Sequence, residues 1–111
     1  MPTFERFDIV SVPFPYTDRP VRERRPALVV SRPAHEARTG MIWAVMITSA
    51  QHRAWHGDVR LADHARAGLS IPSMIRTAKI ATVEAREAQH IGRPSAGEIR
   101  AVRAALAQII G

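Results

Sequence analysis

The stretch MIWAVMITS, residues 41–49, decides the fold. It is a nearly unbroken apolar run, bounded by Gly40 on one side and polar residues on the other. Such a run is short for a core helix and suits a strand covered on both faces. Side chains alternate along a strand, so Ile42, Ala44, Met46 and Thr48 share one face. Trp43, Val45, Ile47 and Ser49 share the other, and Trp43 is expected in the core or at an interface.

Working outward, the preceding segment is RERRPALVVS, residues 22–31, in which Ala27–Val30 reads as a strand with arginines crowding its start. Residues 7–12 read as an earlier strand ending at PFP, because proline cannot donate to a ladder. Residues 13–25 are expected to be a loop, and 32–40 a polar connection closing on Gly40. Downstream, GDVRL (57–61) alternates like a half-exposed strand, and SMIRTAKIATVE (73–84) suits one long bent strand or two short ones. QHIGR (89–93) reads as a last short strand.

The period then changes. Ser95 and Glu98 have the spacing of a capping box, in which each side chain satisfies a free donor at a helix start. Ile99, Val102, Leu106 and Ile109 or Ile110 follow on one helical stripe. Several short antiparallel strands and one packed helix predict a small, curled, barrel-like α+β domain spanning residues 1–111.

The chain has 111 residues, 46% of them hydrophobic, enough for one modest core. Sixteen basic residues face 10 acidic ones, giving a formal net charge of +6 that suits a polyanionic partner. Lys79 is the only lysine. The absence of cysteine excludes disulfides and thiolate metal sites. No apolar run approaches membrane-spanning length, so a cytoplasmic protein without membrane partners is expected.

Candidate chemistry gathers at one rim. Thr48 ends the apolar strand, where a rigid backbone fixes its hydroxyl; bonding to the following turn is the alternative role. Arg25 sits just before residues 26–30. If that strand pairs antiparallel with 41–48, Arg25 and Thr48 meet at the same end of the ladder. A guanidinium beside a hydroxyl can stabilise charge on a phosphoryl oxygen. The alternative is that Arg24 and Arg25 are solvated or paired with Glu23 and Asp18. HRAWH places His52 and His56 four apart, but without the glutamate of a zincin-type motif. Phe14, Tyr16 and Trp55 fall in expected loops, where aromatic rings either pack or stack on unpaired bases.

Taken in order, FDIVSVPFPYTD, RRPALVVS, WAVMITS, PSMIRTAKIATVE and IGRPSAGEIRAVRAAL resemble the MazF/PemK family of type II toxin–antitoxin toxins over about residues 7–110. The resemblance implies an SH3-like barrel with a C-terminal helix. It also implies a homodimer that cuts single-stranded RNA without a metal or other cofactor, under control of an antitoxin with an acidic C-terminal tail. The family's catalytic arginine and threonine match Arg25 and Thr48. Tyr16, Asp18, Arg24, Ser49, Gln51 and His52 are the expected substrate-binding residues, with Asp18 and His52 the candidates for removing the 2′ proton. Many members carry an arginine where this chain has Ala81, for which Arg76 or Lys79 could stand in. Two rival expectations are a barrel toxin that binds a protein such as DNA gyrase, and a catalytically dead relative that binds RNA or antitoxin.

Overall fold

Every pair of neighbouring strands in the sheet is antiparallel. The computed structural model describes residues 3–15 and 22–111. Among these, six strands form: β1 (Ile9–Pro15), β2 (Arg22–Val29), β3 (Met41–Ser49), β4 (Asp58–Arg60), β5 (Ser73–Glu84) and β6 (Gln89–Gly92). Two helices join them, α1 (Pro33–Thr39) and α2 (Ala96–Ile110), with a 3-10 turn at Ala85–Glu87.

The strand order is β4-β5-β3-β2-β1-β6, and it forces curvature. In a flat sheet β5 and β6 would lie four strand spacings apart, about 19 Å. Residues 85–88 link them through a 3-10 turn that rises only about 2 Å per residue. The run from β5 to β6 therefore bends round into the expected SH3-like barrel, with α2 laid against it.

Alternation along β3 sorts the core into two layers, as its parity predicts. Val45 and Ile47 pack with Ile9, Leu28 and Ile75, against Val102 and Leu106 of α2. Ile42, Ala44 and Met46 pack with Val10, Ala27 and Val29 in the second layer, which Phe4 and Ala85 complete. Burying each Val, Leu or Ile here contributes about 1.5–3 kcal/mol relative to exposure. Helix α2 begins on the expected capping box: the Ser95 hydroxyl accepts from Glu98 N–H, and the Glu98 carboxylate accepts from Ser95 N–H.

Five expectations need correction. β1 continues through Pro13 and Pro15, which is tolerated because β6 pairs β1 only as far as Ser11 and leaves an edge beyond it. β2 begins at Arg22, so the arginines lie on the strand rather than before it. The connection 32–40 contains α1, with Pro33 in its first turn and Gly40 closing it at φ 73°. Proline opening and left-handed glycine closing are a helix signature in themselves. Trp43 is 43% exposed and meets His35 edge-on, so of the two places expected for it the core is ruled out and an interface is left. The helical stripe also ends at Leu106, since Ile109 and Ile110 are exposed.

Two backbone features shape the rest. A β-carbon at Gly92 would lie 2.1 Å from the Ala67 carbonyl oxygen, so only glycine lets the chain after β4 pack on β6. In β5 the partner of Val45 is Ile80 and that of Met46 is Arg76, so residues 77–79 are inserted as a bulge. A bulge bends its strand and re-aims side chains. Thr77 anchors this one by donating to the Gly57 carbonyl at 2.8 Å.

Candidate active site

Ladder register brings the rim residues together. Ala27 opposes Met46 and Leu28 opposes Val45; Arg25 and Thr48 lie two residues beyond this pairing at the same end, and both line the same hollows. Parity puts both on one sheet face, with Ala27 and Met46. On the other side of β3, Thr48 opposes Met74 and Met46 opposes Arg76, so Arg76 shares that face.

The side chains line two adjoining concavities. One, of about 170 Å³, is bounded by Arg25, Met46, Thr48, His52, Arg76 and Lys79. The other, of about 160 Å³, shares Arg25, Ile47, Thr48 and His52 and continues along Ser49, Ser70 and Ser73. Arg25, Thr48 and His52 thus form a wall with a hollow on either side. Arg25 pairs with Glu23 at 3.2 Å, with both side chains more than 40% exposed. Exposed pairs of this kind hold by about 0–1 kcal/mol, so an anion can displace the glutamate. Thr48 Oγ1 lies 2.6 Å from His52 Nδ1, and the turn beneath is fixed by His52 N–H donating to the Ser49 carbonyl.

The other expected residues divide. Ser49 lines the second hollow, and its hydroxyl accepts from Gln51 N–H at 3.2 Å, whereas the Gln51 side chain lines neither. Arg24 points to the opposite sheet face, donating to the Ser11 hydroxyl, the Ser11 carbonyl and the Glu87 carbonyl. Tyr16 and Asp18 lie outside the described residues. Phe14 falls within β1 rather than in a loop. His56 does not join His52 in a metal site: among the described residues no group of three or more His, Asp or Glu could hold an ion.

Arg76, expected from sequence only as a stand-in for the arginine absent at Ala81, lines the first hollow. It is buried, ion-paired to Asp58 at 3.0 Å, and donates through Nη2 to the Arg53 carbonyl at 2.7 Å. Its sequence signal was a charge set between the apolar residues Ile75 and Ala78 of β5, where burial demands a partner. Lys79 reaches the same hollow from the bulge.

A family model described as PemK-like, MazF-like toxin of type II toxin–antitoxin systems matches residues 5–110. No curated protein matches the sequence. Among solved structures, MazE–MazF from Deinococcus radiodurans is 25% identical, with a TM-score of 0.74 over 96% of this chain and 94% of that one. MazF from the same organism is 24% identical at a TM-score of 0.75, over 96% of each chain. An endoribonuclease in complex with its cognate antitoxin, from a mycobacterial species, is 20% identical at a TM-score of 0.77, covering 98% of this chain and 96% of that one. The last two likenesses show the fold.

Proposed function

The chain belongs to the PemK/MazF family of type II toxin–antitoxin toxins, and from that premise we propose that it is a sequence-selective endoribonuclease acting on single-stranded RNA. The observation that carries the reading is the wall of Arg25, Thr48 and His52 shared by two hollows. A phosphodiester seated on that wall would direct one nucleoside toward each hollow.

The substrate's own 2′-hydroxyl attacks the adjacent phosphorus, forming a 2′,3′-cyclic phosphate and releasing the 5′-oxygen. Arg25 stabilises charge on the non-bridging oxygens; a guanidinium has five N–H donors and no acceptor, so it is not the base. Thr48 donates to a phosphoryl oxygen and holds the in-line geometry. The 2′ proton passes to a basic group, either the His52 imidazole at the rim or the Asp18 carboxylate, which lies outside the described residues. The 5′-oxygen takes up a proton as it leaves. In this reading the protein works as a homodimer in the cytoplasm. An antitoxin partner is supported by the toxin–antitoxin complexes among its structural relatives, and in this reading that antitoxin covers the RNA site.

The test is incubation of purified protein with mixed-sequence RNA in excess EDTA, followed by mapping of the cut ends. Defined cuts with 5′-hydroxyl ends are expected. Arg25→Ala and Thr48→Ala should each cut ~100- to 1,000-fold more slowly, the usual cost of one lost transition-state contact. Intact RNA bound to the protein would overturn the nuclease reading in favour of a non-catalytic binder, and restoration of cutting only by added magnesium or zinc would replace the mechanism.

A further inference from the structure

Trp55 is 47% exposed, yet its position is fixed from several directions. Its backbone N–H donates to Asp58 Oδ2 at 2.8 Å, and the Asp58 backbone N–H returns a bond to the Trp55 carbonyl at 3.2 Å. The Arg76 guanidinium lies 4.1 Å from the indole centroid. That guanidinium cannot swing, since Asp58 and the Arg53 carbonyl hold it and the ion pair is 9% and 6% exposed. Arg76 also bounds the hollow that contains Arg25 and Thr48. One buried residue therefore joins the candidate site to a braced aromatic ring.

Roofing the ion pair accounts for the face of the indole that meets Arg76, but not for its exposed remainder. The local charge indicates what that remainder meets. In residues 51–60 the only acid is Asp58, which is consumed by Arg76, while Arg53 and Arg60 are exposed. A flat ring among exposed cations suits a strand that alternates flat bases with phosphates. We infer that Trp55 is a stacking platform for an unpaired base of the RNA strand, flanking the phosphate held at Arg25 and Thr48. The inference rests on the nuclease reading and adds a subsite to it. Bracing by Arg76 supplies the preorganisation that makes a loop aromatic useful, because little side-chain freedom remains to be lost on binding.

The experiment uses the full chain carrying Thr48→Ala, expected to slow cutting ~100- to 1,000-fold, and Trp43→Phe, which leaves Trp55 as the only indole. It is titrated with a single-stranded mixed-sequence RNA oligonucleotide, with an abasic strand of equal length, and with an acidic peptide. RNA should quench the indole emission and the abasic strand should not. Adding Trp55→Ala should weaken RNA binding by about 5- to 150-fold, the range for losing one base–aromatic stack, and Trp55→Phe should recover most of it. RNA binding without quenching, or equal quenching by the abasic strand, overturns the stacking inference while leaving the nuclease reading intact. Quenching by the peptide alone, with no RNA bound, overturns both and gives the ring to a protein partner. If Trp55→Ala fails to fold, the comparison of RNA with the abasic strand still decides.

Discussion

Thr48 Oγ1 and His52 Nδ1 stand 2.6 Å apart across the turn that leaves β3. The contact determines what the threonine can do. If Nδ1 carries a proton, it donates to Oγ1 and leaves the threonine hydrogen for a phosphoryl oxygen. If Nδ1 is bare, the hydroxyl hydrogen is spent on histidine. Only the first arrangement serves the proposed chemistry, so under the proposed function His52 orients the hydroxyl whether or not it also accepts the 2′ proton.

This reading separates two substitutions at residue 52. His52→Ala removes the donor, and the loss of one neutral hydrogen bond costs up to about tenfold in kcat/KM. His52→Asn places an amide N–H close to where Nδ1 stood and should recover most of that loss. If asparagine performs no better than alanine, orientation is not the role of His52. A loss of ~100-fold or more for both would instead fit direct proton transfer.

The buried pair Asp58–Arg76 should matter far more to stability than the exposed pair Glu84–Arg86, although both span about 3 Å. Removing one partner of a buried pair strands the other charge away from water and costs about 3–5 kcal/mol. Asp58→Asn should therefore lower the urea midpoint sharply, whereas Glu84→Gln should shift stability by under about 1 kcal/mol. Similar small shifts for both would mean that Arg76 finds water or another acceptor when Asp58 is neutral.

Much of the fold was legible because β3 and α2 announce themselves by period alone. The faces of β3 and the Ser95–Glu98 cap followed from spacing. Arg25 and Thr48 were placed together by the rule that sequential strands pair. What escaped depended on contacts between distant segments. A sequence does not reveal that β6 stops pairing at Ser11, which is what lets β1 run on through two prolines. Nor does it show that Arg76 would find Asp58, 18 residues earlier, and brace Trp55. Arg24 and Arg25 look alike in sequence; strand parity alone sends one to the Ser11 side and the other to Thr48.

Glu98 gives the cap a pH signature. Partial burial works to raise its carboxyl, but the Ser95 and Ala62 N–H groups, the Ser95 hydroxyl and the Arg66 charge outweigh it and hold the group below its ordinary value. A carboxyl depressed in the folded state stabilises the protein above its unfolded value, about pH 4.3, and loses that contribution as pH falls through the lower folded value. Glu98→Gln should therefore cost stability at neutral pH, and the gap from the parent protein should close on acidification. Denaturant unfolding at pH 7 and pH 3.5 measures this; a constant gap would show that the glutamate charge contributes nothing.

The antitoxin prediction follows from the same rim. Under the proposed function, the hollow bounded by Arg25, Arg76 and Lys79 receives the phosphates of RNA. Carboxylates on an extended peptide suit those cations as well, while its apolar side chains can cover Met46 and Ile47 at the floor. A chain that is disordered when free must spend part of its binding energy on ordering, so charge carries much of its association rate. An acidic tail peptide should therefore compete with RNA rather than bind beside it. Its affinity should fall as salt rises, since charges are screened over about 8 Å at 0.15 M. The measurement is RNA binding by Thr48→Ala protein at two salt concentrations, with and without the peptide. Lys79→Ala should weaken peptide and RNA together, because both would draw on the same cation. Saturating peptide that leaves RNA affinity unchanged would locate inhibition away from this rim.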